Sequence, residues 1–293
     1  MKAVLVDSPE RDLVAAREAV FGWMAARTRG LPLLLAEEDP AWWKDLTWLG
    51  LDFDTGPVPE GPGEVLRVRD ADRPAPSGPV LRLPPLQGAQ EWSLTRLRGQ
   101  GDLGPAVLAF LASLGWSDRP DRAHLSRIEL LRQYRPEELD PSPVSLDFAD
   151  FDEIQRHFME ELTPAELVDL SFPFWREQGL LDEEPQGELR RNLEALALLF
   201  GFELTGLTEF PRRAAFLVRE PPPLGDPHLP TLALALEEVH PWDSEALMEA
   251  VGDLDPQTWE AAERALTGDS PTPGLPEILA LVGRETALRR LKA

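Results

Sequence analysis

The sequence predicts an α/β amino-terminal unit followed by an all-α remainder, and three observations carry that prediction. A short β-branched run at residues 2–6 ends in the turn residues Asp7, Ser8 and Pro9. From Asp12 onward, Leu13, Ala16, Val20, Trp23 and Met24 recur at helical spacing up to Arg29-Gly30, and a second apolar run at residues 33–35 completes a βαβ opening. After Gly104-Pro105 the pattern is helical almost to residue 293, broken at Pro141-Ser142-Pro143, Pro221-Pro222-Pro223 and Pro271-Thr272-Pro273-Gly274.

Between these regions, residues 37–49 read as a helix with Trp42, Leu46 and Leu49 on one side. Its tryptophans read as packing anchors, and the acidic run Glu37-Glu38-Asp39 at its start offsets the helix dipole. Residues 55–90 are dense in Pro and Gly, and only 65–68 and 80–83 look like strands, so this stretch is a loop-rich bridge. No internal repeat is evident.

A chain of 293 residues with 43% hydrophobic content buries a large core and divides into two or three domains. No apolar run approaches the ~20 residues of a membrane helix. The stretch 14–26 is interrupted by Arg17 and Glu18 and lacks a small-residue cleavage site, so the expected location is cytoplasmic. There is no cysteine, and His124, His157, His228 and His240 are scattered without ligand spacing. No metal site and no cofactor are therefore expected. The formal charge of −23 repels a polyanion, which disfavours tRNA and favours a protein partner.

Longer motifs add a family resemblance. Residues 16–21 (Ala-Arg-Glu-Ala-Val-Phe) and 48–57 (Trp-Leu-Gly-Leu-Asp-Phe-Asp-Thr-Gly-Pro) resemble bacterial glutamyl-tRNA synthetase, a class I aminoacyl-tRNA synthetase. So do Leu83-Pro84-Pro85-Leu86, the passage Ser93-Leu94-Thr95-Arg96 that leads through Leu97 and Arg98 to Gly99, and the helix from Pro105 to Leu114-Gly115-Trp116-Ser117. Leu189-Arg190-Arg191, Thr208-Glu209-Phe210-Pro211, residues 264–268, Thr272-Pro273-Gly274-Leu275 and residues 281–291 are similar to the family's two anticodon-domain modules. The resemblance covers nearly the whole chain in order. It implies a remnant of the class I Rossmann-type domain over 1–92, a stem-contact-like helical domain over 93–162, and anticodon-binding-like helical modules over 163–223 and 224–293.

The resemblance also marks what has changed. Where the family carries a glycine-rich turn and a HIGH-type motif, this chain runs Glu10-Arg11-Asp12-Leu13-Val14-Ala15, with neither His nor Gly. A nucleotide's phosphates need close backbone approach and positive charge, so Glu10 and Asp12 oppose them. In the KMSKS-like loop Ser93, Leu94, Thr95 and Arg96 stand where the family places two lysines, matched by Ser93 and Arg96. The RIEDTD stretch is matched by Leu34-Leu35-Ala36-Glu37-Glu38-Asp39, and the arginine that receives substrate glutamate by Val4. Between Pro57 and Leu83 the family's longer stretch, with the second half of its nucleotide fold and an acceptor-end insertion, is missing, which implies a half sheet with no complete crevice at a strand-order switch. At the anticodon end Thr272, Pro273 and Leu275 keep the contact segment, whereas the two anticodon-reading arginines are matched by Glu203 and Glu263.

The reading is a truncated paralogue without aminoacylation activity, working as an interaction or regulatory protein. Two alternatives remain. One is a tRNA-binding module using Arg96, Arg98, Arg289 and Arg290; the other is an enzyme acting on an altered nucleotide or aminoacyl adenylate.

Overall fold

The computed structural model describes residues 2–8, 10–36, 39–58, 64–74, 77–89, 91–116, 125–200, 203–268 and 273–293. It divides into two compact units, residues 1–161 and 162–293. Among the described residues no helix is long and apolar enough to cross a membrane.

The first unit opens with the expected βαβ. Strand β1 (Ala3–Val6) is buried throughout, α1 (Leu13–Arg29) follows, and β2 (Leu33–Leu35) pairs parallel to β1 with Val4 opposite Leu33. Asp12 caps α1, accepting a 2.9 Å bond from the amide of Ala15, and Gly30 ends it in the left-handed conformation. Helix α2 (Pro40–Trp48) begins later than residue 37, because Asp39 is its cap and Pro40 its first residue. Glu37 and Glu38 lie outside the described residues. Trp42, Leu46 and Leu49 are buried, as the periodicity predicts.

Strands β3 (Val65–Asp70) and β4 (Val80–Leu83) fall where the sequence places them, with β3 running two residues further. Together they correct the expectation of a sheet without a switch. The parallel sheet has the order β2-β1-β3-β4, because the chain crosses after α2 to the far side of β1. Strand order therefore reverses between β1 and β3, and the place outside their carboxyl ends is where the crevice of an open α/β sheet takes its ligands.

The rest of the unit is helical: α3 (Leu94–Gln100), α4 (Gly104–Ser113), α5 (Arg127–Gln133) and α6 (Phe148–Glu160). One feature escapes the sequence: β5 (Leu86–Gln87) and β6 (Val144–Ser145) form a two-residue parallel pair. Helix α4 packs on α1 and α6. Gly104 permits a close approach, since a Cβ there would lie 2.0 Å from the carbonyl oxygen of Trp48.

The second unit consists of α7 (Pro164–Glu177), α8 (Gly187–Phe200), α9 (Glu209–Ala214), α10 (Leu229–Leu236), α11 (Ser244–Val251), α12 (Pro256–Thr267), α13 (Leu275–Val282) and α14 (Arg284–Leu291). A capping box joins Thr163 and Glu166 at the start of α7. Trp175 and Phe210 meet edge to face at 6.0 Å in its core.

Candidate functional site

The crevice at the β1/β3 switch is packed with the protein's own charges. Asp7 and Ser8 follow β1, and Arg69 and Asp70 end β3. Glu18, on the second turn of α1, is 2% exposed. Its carboxylate accepts from the Ser8 hydroxyl, from the amide of Asp70 at 2.8 Å, and from the guanidinium groups of Arg69 at 3.3 Å and Arg73 at 3.4 Å. Burial pushes this carboxyl above the usual range, while those four donors pull it back.

Arg73 grips Asp12 with one nitrogen, at 2.6 and 2.7 Å to its two oxygens, and lies 3.3 Å from Glu10 with another. Arg69 also pairs with Asp7, which binds Arg67 at 2.7 Å through its second oxygen. Three guanidinium groups, Arg67, Arg69 and Arg73, thus face four carboxylates, Asp7, Glu10, Asp12 and Glu18. The cluster carries a net charge of −1. Arg82 adds a guanidinium held only by the carbonyls of Asp70 at 3.1 Å and Arg73 at 2.9 Å, so an incoming triphosphate meets near-balanced charge in which the other three cations are already held by carboxylates.

The KMSKS-like segment closes over the same place. Leu13 donates to the Trp92 carbonyl at 3.2 Å, and Asp12 forms an antiparallel bridge with Ser93. The Ser93 hydroxyl caps α3, accepting from the amide of Arg96 at 3.2 Å. Leu94 is fully buried and the Thr95 hydroxyl donates to Asp45 at 2.6 Å. Arg96 lies over the Trp92 ring at 4.1 Å and donates to the Glu91 carbonyl at 3.2 Å. Val4, which the resemblance sets against the family's substrate-binding arginine, is fully buried in the sheet.

Sequence reasoning found Glu10 and Asp12 but missed Glu18, Arg69 and Arg73. A signal existed. Leu5 pairs with Arg67, so the same register carried two residues on sets Asp7 beside Arg69.

Next to Glu18 on α1, Arg17 does a different job. It is fully buried and donates to the carbonyls of Pro84 at 2.7 Å and Leu114 at 3.0 Å, with Asp70 at 3.6 Å. Burial lowers its pKa to about 10. Gly115 is required beside it: its φ is +92°, and a Cβ would lie 2.8 Å from an Arg17 nitrogen.

In the second unit, Glu203 pairs with Arg213 at 2.8 Å and Glu263 accepts from the indole of Trp259 at 2.9 Å. Leu275 opens α13 and is fully buried, Pro273 is half-buried before it, and Thr272 lies outside the described residues. The four arginines considered for RNA contact are engaged as well. Arg96 is stacked, Arg98 lies 2.6 Å from Asp45, Arg289 pairs with Glu220, and Arg290 donates to the carbonyls of Leu266 at 2.7 Å and Phe216 at 2.9 Å.

No family model matches the chain. Curated relatives do. It is 30% identical over 217 residues to glutamate–tRNA ligase of Saccharopolyspora erythraea, covering 67% of this chain and 43% of that one. It is 29% identical over 218 residues to that of Paraburkholderia phymatum, covering 68% and 46%. The chain is a homologue of the glutamate–tRNA ligases. It spans less than half the length of these relatives. Two solved structures share its fold: a glutamate–tRNA ligase of Elizabethkingia meningosepticum in complex with its amino acid, at TM-score 0.73, 11% identity and 99% and 98% coverage of the two chains, and the synthetase of Elizabethkingia anophelis, at TM-score 0.71 and 10% identity. The fold is thus a Rossmann-type α/β remnant followed by helical domains, as the sequence predicts.

Proposed function

We propose that this chain does not activate an amino acid, and that its inherited scaffold serves as a non-catalytic interaction or regulatory protein with a basic protein as partner. The observation that carries the reading is the filled crevice. Adenylate formation needs cations that stabilise charge growing on the transferring phosphates. Here the cations at the crevice are already held by Asp7, Glu10, Asp12 and Glu18, and Ser93 is spent on capping a helix. Glu18 and Arg69 are buried, and displacing their pairing costs several kcal/mol per uncompensated charge.

The tRNA-binding alternative is less favoured, because the arginines it invokes have internal partners and Glu203 and Glu263 reverse the charge where the family reads the anticodon. Pyrophosphate exchange into ATP, with glutamate and glutamate tRNA present, tests the main reading: no exchange above the protein-free rate is expected, and tRNA-stimulated exchange refutes it. Gel-shift competition tests the alternative. No discrimination between glutamate tRNA and bulk tRNA is expected, and a preference of about tenfold, worth ~1.4 kcal/mol, would restore it.

A further inference from the structure

Away from the crevice, at the carboxyl end of α1, the surface of this acidic chain becomes basic. A recess of about 440 Å³ is lined by Thr28 of α1 and by Ile128, Leu131, Arg132, Tyr134 and Arg135 of α5 and the turn after it. Arg132 and Arg135 are exposed, and among the described residues neither has a carboxylate partner; the only bonds of the Arg135 guanidinium are to the backbone carbonyls of Arg132 at 3.1 Å and Tyr134 at 2.8 Å. Arg29, on the last turn of α1, is also exposed, has no ion pair among the described residues, and lies close enough to act electrostatically on Tyr134. In a chain of net charge −23, three guanidinium groups without a carboxylate partner among the described residues are thus gathered at one place.

The second observation is the tyrosine itself. Tyr134 is 5% exposed, its ring meets Phe21 edge to face at 6.3 Å, and its hydroxyl is buried with no hydrogen-bond partner. A buried hydroxyl without a partner loses its hydration and recovers nothing, so an acceptor brought to it from the recess would restore what burial costs. Burial raises its pKa, so it stays a donor at any physiological pH; Glu137 is the acid acting on it. Ile128, 62% exposed, and Leu131 give the recess an apolar wall.

We propose that this recess is a binding site for a small phosphate monoester. Its dianionic group would take the guanidinium groups of Arg132 and Arg135 and the Tyr134 hydroxyl, and its organic part would lie against Ile128 and Leu131. Planar guanidinium forks and a phenolic donor match phosphate oxygens in geometry, and a dianion suits two guanidinium groups better than a single carboxylate does. The site is independent of the crevice, so it stands whether or not the chain activates an amino acid.

Titration calorimetry with phenyl phosphate at low salt tests this on the full chain, with inorganic phosphate and a dinucleoside monophosphate as comparison probes. Saturable binding is expected, weakened at least about tenfold by Arg132→Glu with Arg135→Glu, about 1.4 kcal/mol. Inorganic phosphate should bind more weakly for want of the apolar contact. Tyr134→Phe separates ligand recognition from a packing role: it should weaken phenyl phosphate while raising the melting temperature, since it deletes the unpaired hydroxyl. No saturable heat, binding unchanged by the arginine reversals, affinity unchanged in Tyr134→Phe, or tighter binding of the dinucleotide diester would each overturn the proposal.

Discussion

Arg17 and Glu18 are neighbours on α1 and belong to two regions with opposite logic. Arg17 holds backbone: its bonds reach the carbonyls before β5 and after α4, so it joins three segments that the family resemblance had picked out separately. Glu18 holds other charges, at the mouth of the sheet where a nucleotide would sit. The scaffold motifs Ala16-Arg17, Leu83-Pro84-Pro85-Leu86 and Leu114-Gly115-Trp116 thus persist together for a packing reason. The charged residues beside them satisfy one another. Contacts that hold the scaffold and contacts at the mouth of the sheet are separable here, which is how one fold can carry different functions.

The strongest way to break the comparison is to remove one side of the Arg17 junction altogether. A 1–92 fragment lacks the Leu114 carbonyl and the helices α4 and α5 that cover α1, and it should show no cooperative thermal transition by circular dichroism. Residues 162–293, with their own core, should melt cooperatively. Next, Arg17→Met in the full chain leaves the buried Pro84 and Leu114 carbonyls without their donor and the Asp70 carboxylate with only the amides of Asp72 and Leu86, and should cost about 3–5 kcal/mol in urea unfolding. Arg73→Met should cost less, about 1–2 kcal/mol, because Glu18 keeps Arg69, Ser8 and an amide.

The smallest effect is a gain. Asp102, after α3, has no ion-pair partner among the described residues; burial, and secondarily Asp152, raises its carboxyl to about 6. A folded pKa above the unfolded 3.8 means that the protonated form's contribution to stability is complete below about pH 4 and is lost as pH rises through 6. Asp102→Asn should therefore stabilise by about 1 kcal/mol at pH 7.5 and be neutral near pH 4. A flat difference across that range would show that the acid is solvated, and would weaken the claim that the carboxylates around Glu18 depend on their arginines.

How far the sequence foretells the molecule depends on the range of the interaction. Leu13 to Met24 announce α1 because helical contacts repeat locally, and Val80 to Leu83 announce β4 for the same kind of reason. The pairing of Leu86–Gln87 with Val144–Ser145 is two residues long and joins distant segments, so no periodicity reports it. The crossing of the chain to the far side of β1 is equally silent, and with it the switch that creates the crevice. Glu10 and Asp12 were readable as hostile to phosphate. Glu18, Arg69 and Arg73 became readable only once the register set β3 beside β1, because their meaning lies in their pairing.

The central claim is that the crevice is occupied by its own charges, and titration calorimetry of the full chain with Mg-ATP tests it most directly. The account predicts no saturable heat up to about 1 mM nucleotide, a ceiling of roughly −4 kcal/mol in binding free energy. A dissociation constant in the micromolar range, about −8 kcal/mol, would contradict it, since Arg69 and Arg73 would then have to leave their carboxylates for the phosphates.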